Sequence, residues 1–368
     1  MHDNITIGFP RMKTEAGEKR VFLPGFIQFL IKQHAHIYLE EGYGSRSGYT
    51  LDDYQSGSTH VHFCTREQAF QKDIVMILRS PKLEEFKLLG KSSCLISMLH
   101  YPTRPKRVAL LKELGARSIS LDSIVDDRNI RLIEDMKSVA WNGLEVAFDV
   151  LEKRWPGLIR ATPFQVLIIG SGMVGKHAVE AATKLGNIER NYDHMQAGGS
   201  GSIATIVGRN ISGNPEIMNN LFRQTDILVD SSYRHDSSKA IVPNNWIAWL
   251  PEHAVITDLS VDPYTLDIDL PVVRGIEGIP QGNLNQYIFF PDDPDWEKTI
   301  PADIPTTQRR ATVTCYSWPG IHAEASMLHY ADQLEPLMQV LLKIGYDNLS
   351  LQGEYFERAL YRASLKNW

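Results

Sequence analysis

Residues Gln165 to Gly186 read QVLIIGSGMVGKHAVEAATKLG, an apolar run followed by Gly170, Gly172 and Gly175 in GxGxxG spacing and then an amphipathic helix. The order constrains the fold more than the glycines do. A GxGxxG that closes a buried strand and opens a helix is the context a dinucleotide site requires. Gly170 permits the tight turn, Gly172 lets the backbone approach a pyrophosphate, and Gly175 lets helix and strand pack closely. Met173 and Val174 open the helix, whose first N–H groups are left for phosphates. The motif predicts binding of NAD(H) or NADP(H).

At 368 residues the chain exceeds the size at which one core stops growing, so two domains are expected. A net charge of -6 offers no basic surface to nucleic acid or an anionic membrane. The N-terminus lacks a signal-peptide pattern and no apolar run reaches a membrane span, which predicts a cytoplasmic protein acting on small molecules. Cys64, Cys94 and Cys315 are odd in number and widely spaced. They argue against disulfides and a zinc site and read as small buried hydrophobes.

Strand and helix signals alternate before residue 136: Ile5 to Phe9, Ile37 to Leu39, Ile74 to Leu78 and Cys94 to Leu99 as strands, and Leu23 to Lys32 as a helix. Alternation of this kind implies a parallel α/β sheet. Met136, Ala140, Leu144, Ala147 and Leu151 recur at helical spacing up to Trp155-Pro156-Gly157, giving a connector into the glycine strand. Ile203 to Val207, Ile227 to Val229 and Val255 to Ile256 then supply a second α/β sheet, with Ser231-Ser232 after the middle strand as further cofactor contacts. Asn191 to Ser202, NYDHMQAGGSGS, reads as a mobile insertion, and Asn283 to Arg310 as an extended loop returning to the first domain. A last helix carries Met327, Tyr330, Leu334, Leu337, Met338 and Leu341, ends at Gly345 and contains Pro336 as a potential kink.

Four segments occur in order: IGFPRMKTEAGEKRVFLP, LISMLHYPT, GSGMVG and VITDLSVDP. Together they resemble the family of alanine dehydrogenase and lysine-forming saccharopine dehydrogenase, with carboxyethylornithine synthase and the transhydrogenase alpha subunit as further relatives. The resemblance implies an α/β protein of two Rossmann-like domains with parallel sheets. Residues 137–311 would form the NAD(P)-binding domain, inserted into a substrate domain built from 1–136 and 312–368, with the active site in the cleft.

By this resemblance Arg20 grips the substrate carboxylate, as a guanidinium fork does well. On its own sequence it is equally a solvated basic residue in the run Lys19-Arg20. His100 matches the catalytic histidine; an imidazole with an ordinary pKa near ~6.5 can relay protons at working pH, whereas a lone histidine at a strand end can also be structural. Asp262 matches an aspartate near the nicotinamide, with Asp258 as its competitor and a turn before Pro263 as its plain role.

Two departures stand out. The family's lysine at the end of the Ile74 strand is Arg79 here, which can supply fixed charge but cannot pass protons. It either holds a second substrate carboxylate or is structural, with Lys82 as a stand-in if the loop is shifted. After Ile203 to Val207, where an NAD enzyme places an acidic residue, stand Gly208 and Arg209, which favours NADP(H) over NAD(H) through a 2′-phosphate on Arg209. A solvent-facing Arg209 with unselective binding is the alternative. Ser317, Trp318 and His322 are further candidates for shaping substrate choice, Trp318 being equally plain core.

The expected function is an NAD(P)-dependent oxidoreductase at the C–N bond of an amino acid, acting on amino-acid and 2-oxo-acid substrates. Ammonia or a second amino acid is the amine donor, the latter giving an opine-type synthase. A catalytically inactive NADP-binding regulatory protein is the rival. Homo-oligomerisation stays open.

Overall fold

The computed structural model describes residues 5–13, 15–154, 162–265 and 271–368, so the stop signal at Trp155-Pro156-Gly157 lies outside the described residues. Two compact units emerge, one from the chain up to Asp135 and from His322 onward, the other from Met136–Ile321. Among the described residues, no helix is long and apolar enough to cross a membrane.

The first unit holds six strands: β1 (Thr6–Phe9), β2 (His36–Glu40), β3 (Val61–Cys64), β4 (Ile74–Arg79), β5 (Cys94–Met98) and β6 (Arg117–Ser120). They pair in parallel in the order β3-β2-β1-β4-β5-β6. The near-continuous apolar runs of β4 and β5 fit strands covered on both faces. One face packs on helices Pro24–Lys32, Ala323–Ile344 and Tyr355–Ala363, through Phe26, Ile27, Leu30, Met327, Leu334 and Leu360. Helix Ala323–Ile344 continues through Pro336 and ends on Gly345 at φ 77°.

β6 reads RSIS and gives no apolar signal, yet its serines are buried. They are tolerated because each is hydrogen-bonded: Ser118 Oγ to the Tyr101 hydroxyl at 2.7 Å, and Ser120 Oγ to the Leu99 amide and Asp122.

The second unit holds β7 (Phe164–Ile169), β8 (Ser202–Val207), β9 (Ile227–Asp230), β10 (Val255–Asp258), β11 (Ile288–Phe289) and β12 (Ala311–Thr314). Their order is β11-β12-β10-β9-β7-β8, parallel except for β11. Helix Met136–Arg154 covers one face through Ala140, Leu144, Ala147 and Leu151.

Two expectations are corrected here. Asn191 to Ser202 is a loop only over 197–201: residues Ile188–Gln196 form a helix capped by Asn187, whose side chain accepts from the Glu189 and Arg190 amides. The imidazole of His194 then accepts the Gly201 amide at 2.9 Å, tying the glycine run to the helix. Nor does Asn283 to Arg310 return to the first unit. It supplies β11, and Phe289, Trp296 and Ile300 bury their own small core in the second unit. Because β12 is a strand of the second sheet, the chain returns only after Ile321 rather than at 312. All three cysteines are buried, and burial pushes the Cys94 thiol up to about 12.

Candidate active site

Both sheets change winding direction at one point: between β1 and β4 in the first, between β7 and β9 in the second. Ligands of open α/β sheets bind beyond the strand C-termini at such points.

In the second unit, β7 runs into Gly170 at φ 107°, a left-handed conformation that a side chain rarely adopts. A Cβ on Gly170 would also lie 2.6 Å from the Ser231 carbonyl, and one on Gly175 only 2.0 Å from the Gly170 carbonyl. A Cβ on Gly172 would meet nothing within 4 Å. The first and third glycines therefore hold strand, turn and helix together, while the second leaves its backbone bare. Helix Met173–Ala182 follows with no side chain capping its N-terminus.

Around this turn lies a cleft of about 780 Å³. Gly170, Gly172, Gly208, Arg209, Ser231 and Ser232 line it, so six of the nine expected cofactor residues share one wall. Met173, Val174 and Gly175 stand behind it in the first helical turn, with Gly175 buried and Met173 exposed. Arg209 is exposed, donating to the Tyr233 carbonyl at 3.4 Å.

Asp262 belongs to the same unit. Its carboxylate takes a 2.6 Å bond from Nη2 of Arg234, a cleft-lining residue whose side chain is only 4% exposed. Val261 at φ 57° precedes it, an outlier for a β-branched residue. Asp258, the competitor, is buried at the end of β10 and ion-paired with buried Arg274, and it accepts from Thr314 Oγ1 at 3.0 Å. Trp318 Nε1 donates to the Asp258 carbonyl at 2.8 Å and its own carbonyl takes Asn142 Nδ2. Asp258 and Trp318 are thus parts of the second unit's interior. Ser317 is buried and His322 exposed.

In the first unit, Arg20 is not solvated. Its side chain is 2% exposed, and Nε and Nη2 grip both oxygens of Glu18 at 3.0 and 2.6 Å. Burial alone would raise the Glu18 carboxyl, but the guanidinium outweighs it and holds the group below the usual range. Arg79, at the end of β4, is ion-paired with Glu15. Burial raises the Glu15 carboxyl against the pull of Arg79, helped by the negative charge of Glu18. The four residues form one alternating cluster.

His100 leaves the end of β5 at φ 52°, a rare conformation for a residue with a side chain and of a kind that recurs at functional sites. Its amide donates to Asp122 Oδ1 at 3.0 Å and its Nδ1 lies 3.2 Å from Oδ2. Burial opposes ionisation of Asp122, but the imidazole bond and charge prevail and bring its carboxyl down to about 2. An always-ionised carboxylate on one ring nitrogen fixes the ring and leaves the other nitrogen for chemistry. β4 and β5 pair Arg79 with Met98, so Arg79 and His100 emerge from adjacent strand ends.

Glu15, Glu18, Asp122 and Arg234 were not picked out by the sequence. The acidic residues beside Lys19-Arg20 and the Asp closing ISLD were the available signals.

These features define an α/β protein of two Rossmann-type sheets, one of which ends in a dinucleotide-type glycine cradle. Comparison with known proteins shows what the chain is similar to: residues 9–140 match the alanine dehydrogenase/PNT N-terminal domain. The chain is 26% identical over 276 residues to an alanine dehydrogenase of Bacillus subtilis (strain 168), covering 70% of this chain and 71% of that one. It is 27% identical over 198 residues to an NAD(P) transhydrogenase subunit alpha of Cereibacter sphaeroides, covering 51% and 38%. In fold it matches a solved L-alanine dehydrogenase with a TM-score of 0.71 at 18% identity, over 98% of this chain and 94% of that one. A transhydrogenase from Sinorhizobium meliloti matches with 0.62 at 15%, over 92% and 94%.

Proposed function

We propose that this chain is a nicotinamide-dependent oxidoreductase that forms or breaks the C–N bond of an amino acid. The observation that carries this reading is the glycine cradle at the end of β7, with its bare Gly172 backbone facing open space beside an uncapped helix N-terminus. Kinship with alanine dehydrogenases supports an amino-acid substrate.

The second unit, 137–311 in the sequence reading, is the nucleotide domain, and the first carries the substrate. Gly170, Gly172, Ser231 and Ser232 cradle the pyrophosphate, and Arg209, standing after β8 where an NAD enzyme places an acidic residue, favours a 2′-phosphate, hence NADP(H) over NAD(H). When bound, the dinucleotide supplies the hydride for an imine carbon. His100, held by Asp122, gives a proton to the oxo oxygen as the amine adds. Arg20 supplies charge for the substrate carboxylate, and the Asp262 carboxylate, steadied by Arg234, is of the charge that stabilises an iminium. Arg79, at the end of β4, is a second fixed cation in the same charged cluster as Arg20, which favours a substrate carrying two carboxylates, as in an opine-type or saccharopine-like product.

The test is oxidation of NADPH and NADH with a panel of 2-oxo acids, each paired with ammonia and with amino acids. Turnover should favour NADPH and fall about 10²–10⁴-fold in His100→Ala. Arg209→Ala should remove the cofactor preference. Wild-type protein that binds neither dinucleotide would sink the reading.

A further inference from the structure

Arg79 cannot release a proton, yet it holds a carboxyl that can. Glu15 spends one oxygen on Arg79, while its Oε2 is buried with no hydrogen-bond partner among the described residues. Its side chain is 15% exposed and Arg79's is 24%, so the pair lies at the C-terminal end of β4, within reach of solvent. Leaving a buried carboxylate oxygen unpaired costs free energy that nothing in the packing returns. The neighbouring Glu18 contrasts with it, both of its oxygens being committed to Arg20.

We propose that Glu15 is a second proton-carrying residue of the substrate site, acting at the amine nitrogen with Arg79 holding it in place. The inference rests on the amino-acid dehydrogenase reading. As the C–N bond forms, the Glu15 carboxylate takes a proton from the attacking nitrogen while His100 protonates the oxygen. Glu15 then returns its proton to the departing hydroxyl: the C–O bond breaks, water leaves, the nitrogen lone pair closes the C=N bond, and the carboxylate is restored.

The surroundings suit a group that both takes and gives. Arg79 at the end of β4 and Arg20 favour the carboxylate. Glu18 and burial favour the carboxyl, and burial is the stronger influence on Glu15. Tyr330 of helix Ala323–Ile344, which also faces Arg20 and Arg79, is pushed up to about 12 by burial and stays neutral. Both oxygens of Glu18 are committed to Arg20, so Glu15 is the carboxyl of this cluster with an oxygen to spare for the substrate nitrogen.

Glu15→Gln keeps an acceptor for Arg79 and removes the proton site. In reductive amination its kcat should fall by about 10²-fold or more, with the KM for the 2-oxo acid within about twofold, and the acid limb of the pH profile should vanish. Glu15→Asp should retain that limb. Carboxyl-carbon NMR of ¹³C-glutamate-labelled protein gives a readout independent of turnover. The Glu15 midpoint should lie above that of exposed glutamates and move when pyruvate is added without dinucleotide. Unchanged kcat and pH profile in Glu15→Gln would overturn the proposal. A wild type without turnover removes the dehydrogenase reading instead, and the Glu15 assignment then falls if pyruvate leaves its midpoint unmoved.

Discussion

At the switch point of the first sheet, charged side chains are gathered: the Arg79–Glu15 and Arg20–Glu18 pairs, with His100 on Asp122 one strand over. At that of the second sheet the side chains are missing by design, and Gly170, Gly172 and Gly175 let strand, turn and helix meet around bare backbone. On the function proposed above, one kind of sheet switch point serves two kinds of ligand. A phosphate is satisfied by N–H groups that every residue has, so the site is made by removing Cβ atoms. A small zwitterion must be oriented by charges, which are costly to bury and come in pairs that hold each other before the ligand arrives.

Substitutions sharpen this contrast. The largest expected effect is in the charged site: Glu18→Ala deprives a buried guanidinium of its two-point partner and should cost about 3–5 kcal/mol in urea unfolding. A loss below about 1 kcal/mol would mean that the first site is no more strained by charge than an ordinary surface. Next is Gly175→Ala, whose Cβ would press on the Gly170 carbonyl and should destabilise the fold by about 3 kcal/mol while abolishing dinucleotide binding. Wild-type melting and affinity in that variant would show that the cradle is not close-packed.

A smaller effect concerns pH. Asp122 is held at about 2 in the folded chain, below its ordinary 3.8, so its share of stability is full above the ordinary value and lost as pH falls through about 2. That share is about 2 kcal/mol and should shrink in His100→Ala, read as melting temperature between pH 5 and 2. Superimposable acid profiles would break the His100–Asp122 link. The smallest is Gly172→Ala, which meets no atom and should change stability by less than about 0.5 kcal/mol, yet weaken dinucleotide binding measured by fluorescence titration.

The same contrast decides what was legible. The cradle could be read because glycine spacing and an apolar strand are local, and β4, β5, β7 and β9 announced themselves as buried apolar runs. β6 and β3 could not, since RSIS and VHFC owe their place to partners rather than pattern. β11 and β12 lay in or beside a stretch whose prolines and aspartates suggested a loop. In the charged site, Arg20 was legible by resemblance, but its pairing with Glu18, the pairing of Glu15 with Arg79 and that of Asp122 with His100 are set by three-dimensional proximity.

The division of the first unit into two stretches of chain bears on biosynthesis. All twelve strands of the described residues precede His322, whereas the helices Ala323–Ile344 and Tyr355–Ala363, which lay Met327, Leu334, Leu337, Met338, Leu341 and Leu360 on the first sheet, follow it. The second unit can close over its own core as soon as Ile321 has emerged. The earlier-made sheet must wait, one apolar face covered only by helix Pro24–Lys32, across the whole span of the insertion. On a ribosome that interval lasts roughly ten seconds or more at ~5–20 residues per second, long enough for a chaperone to be the first partner this face meets.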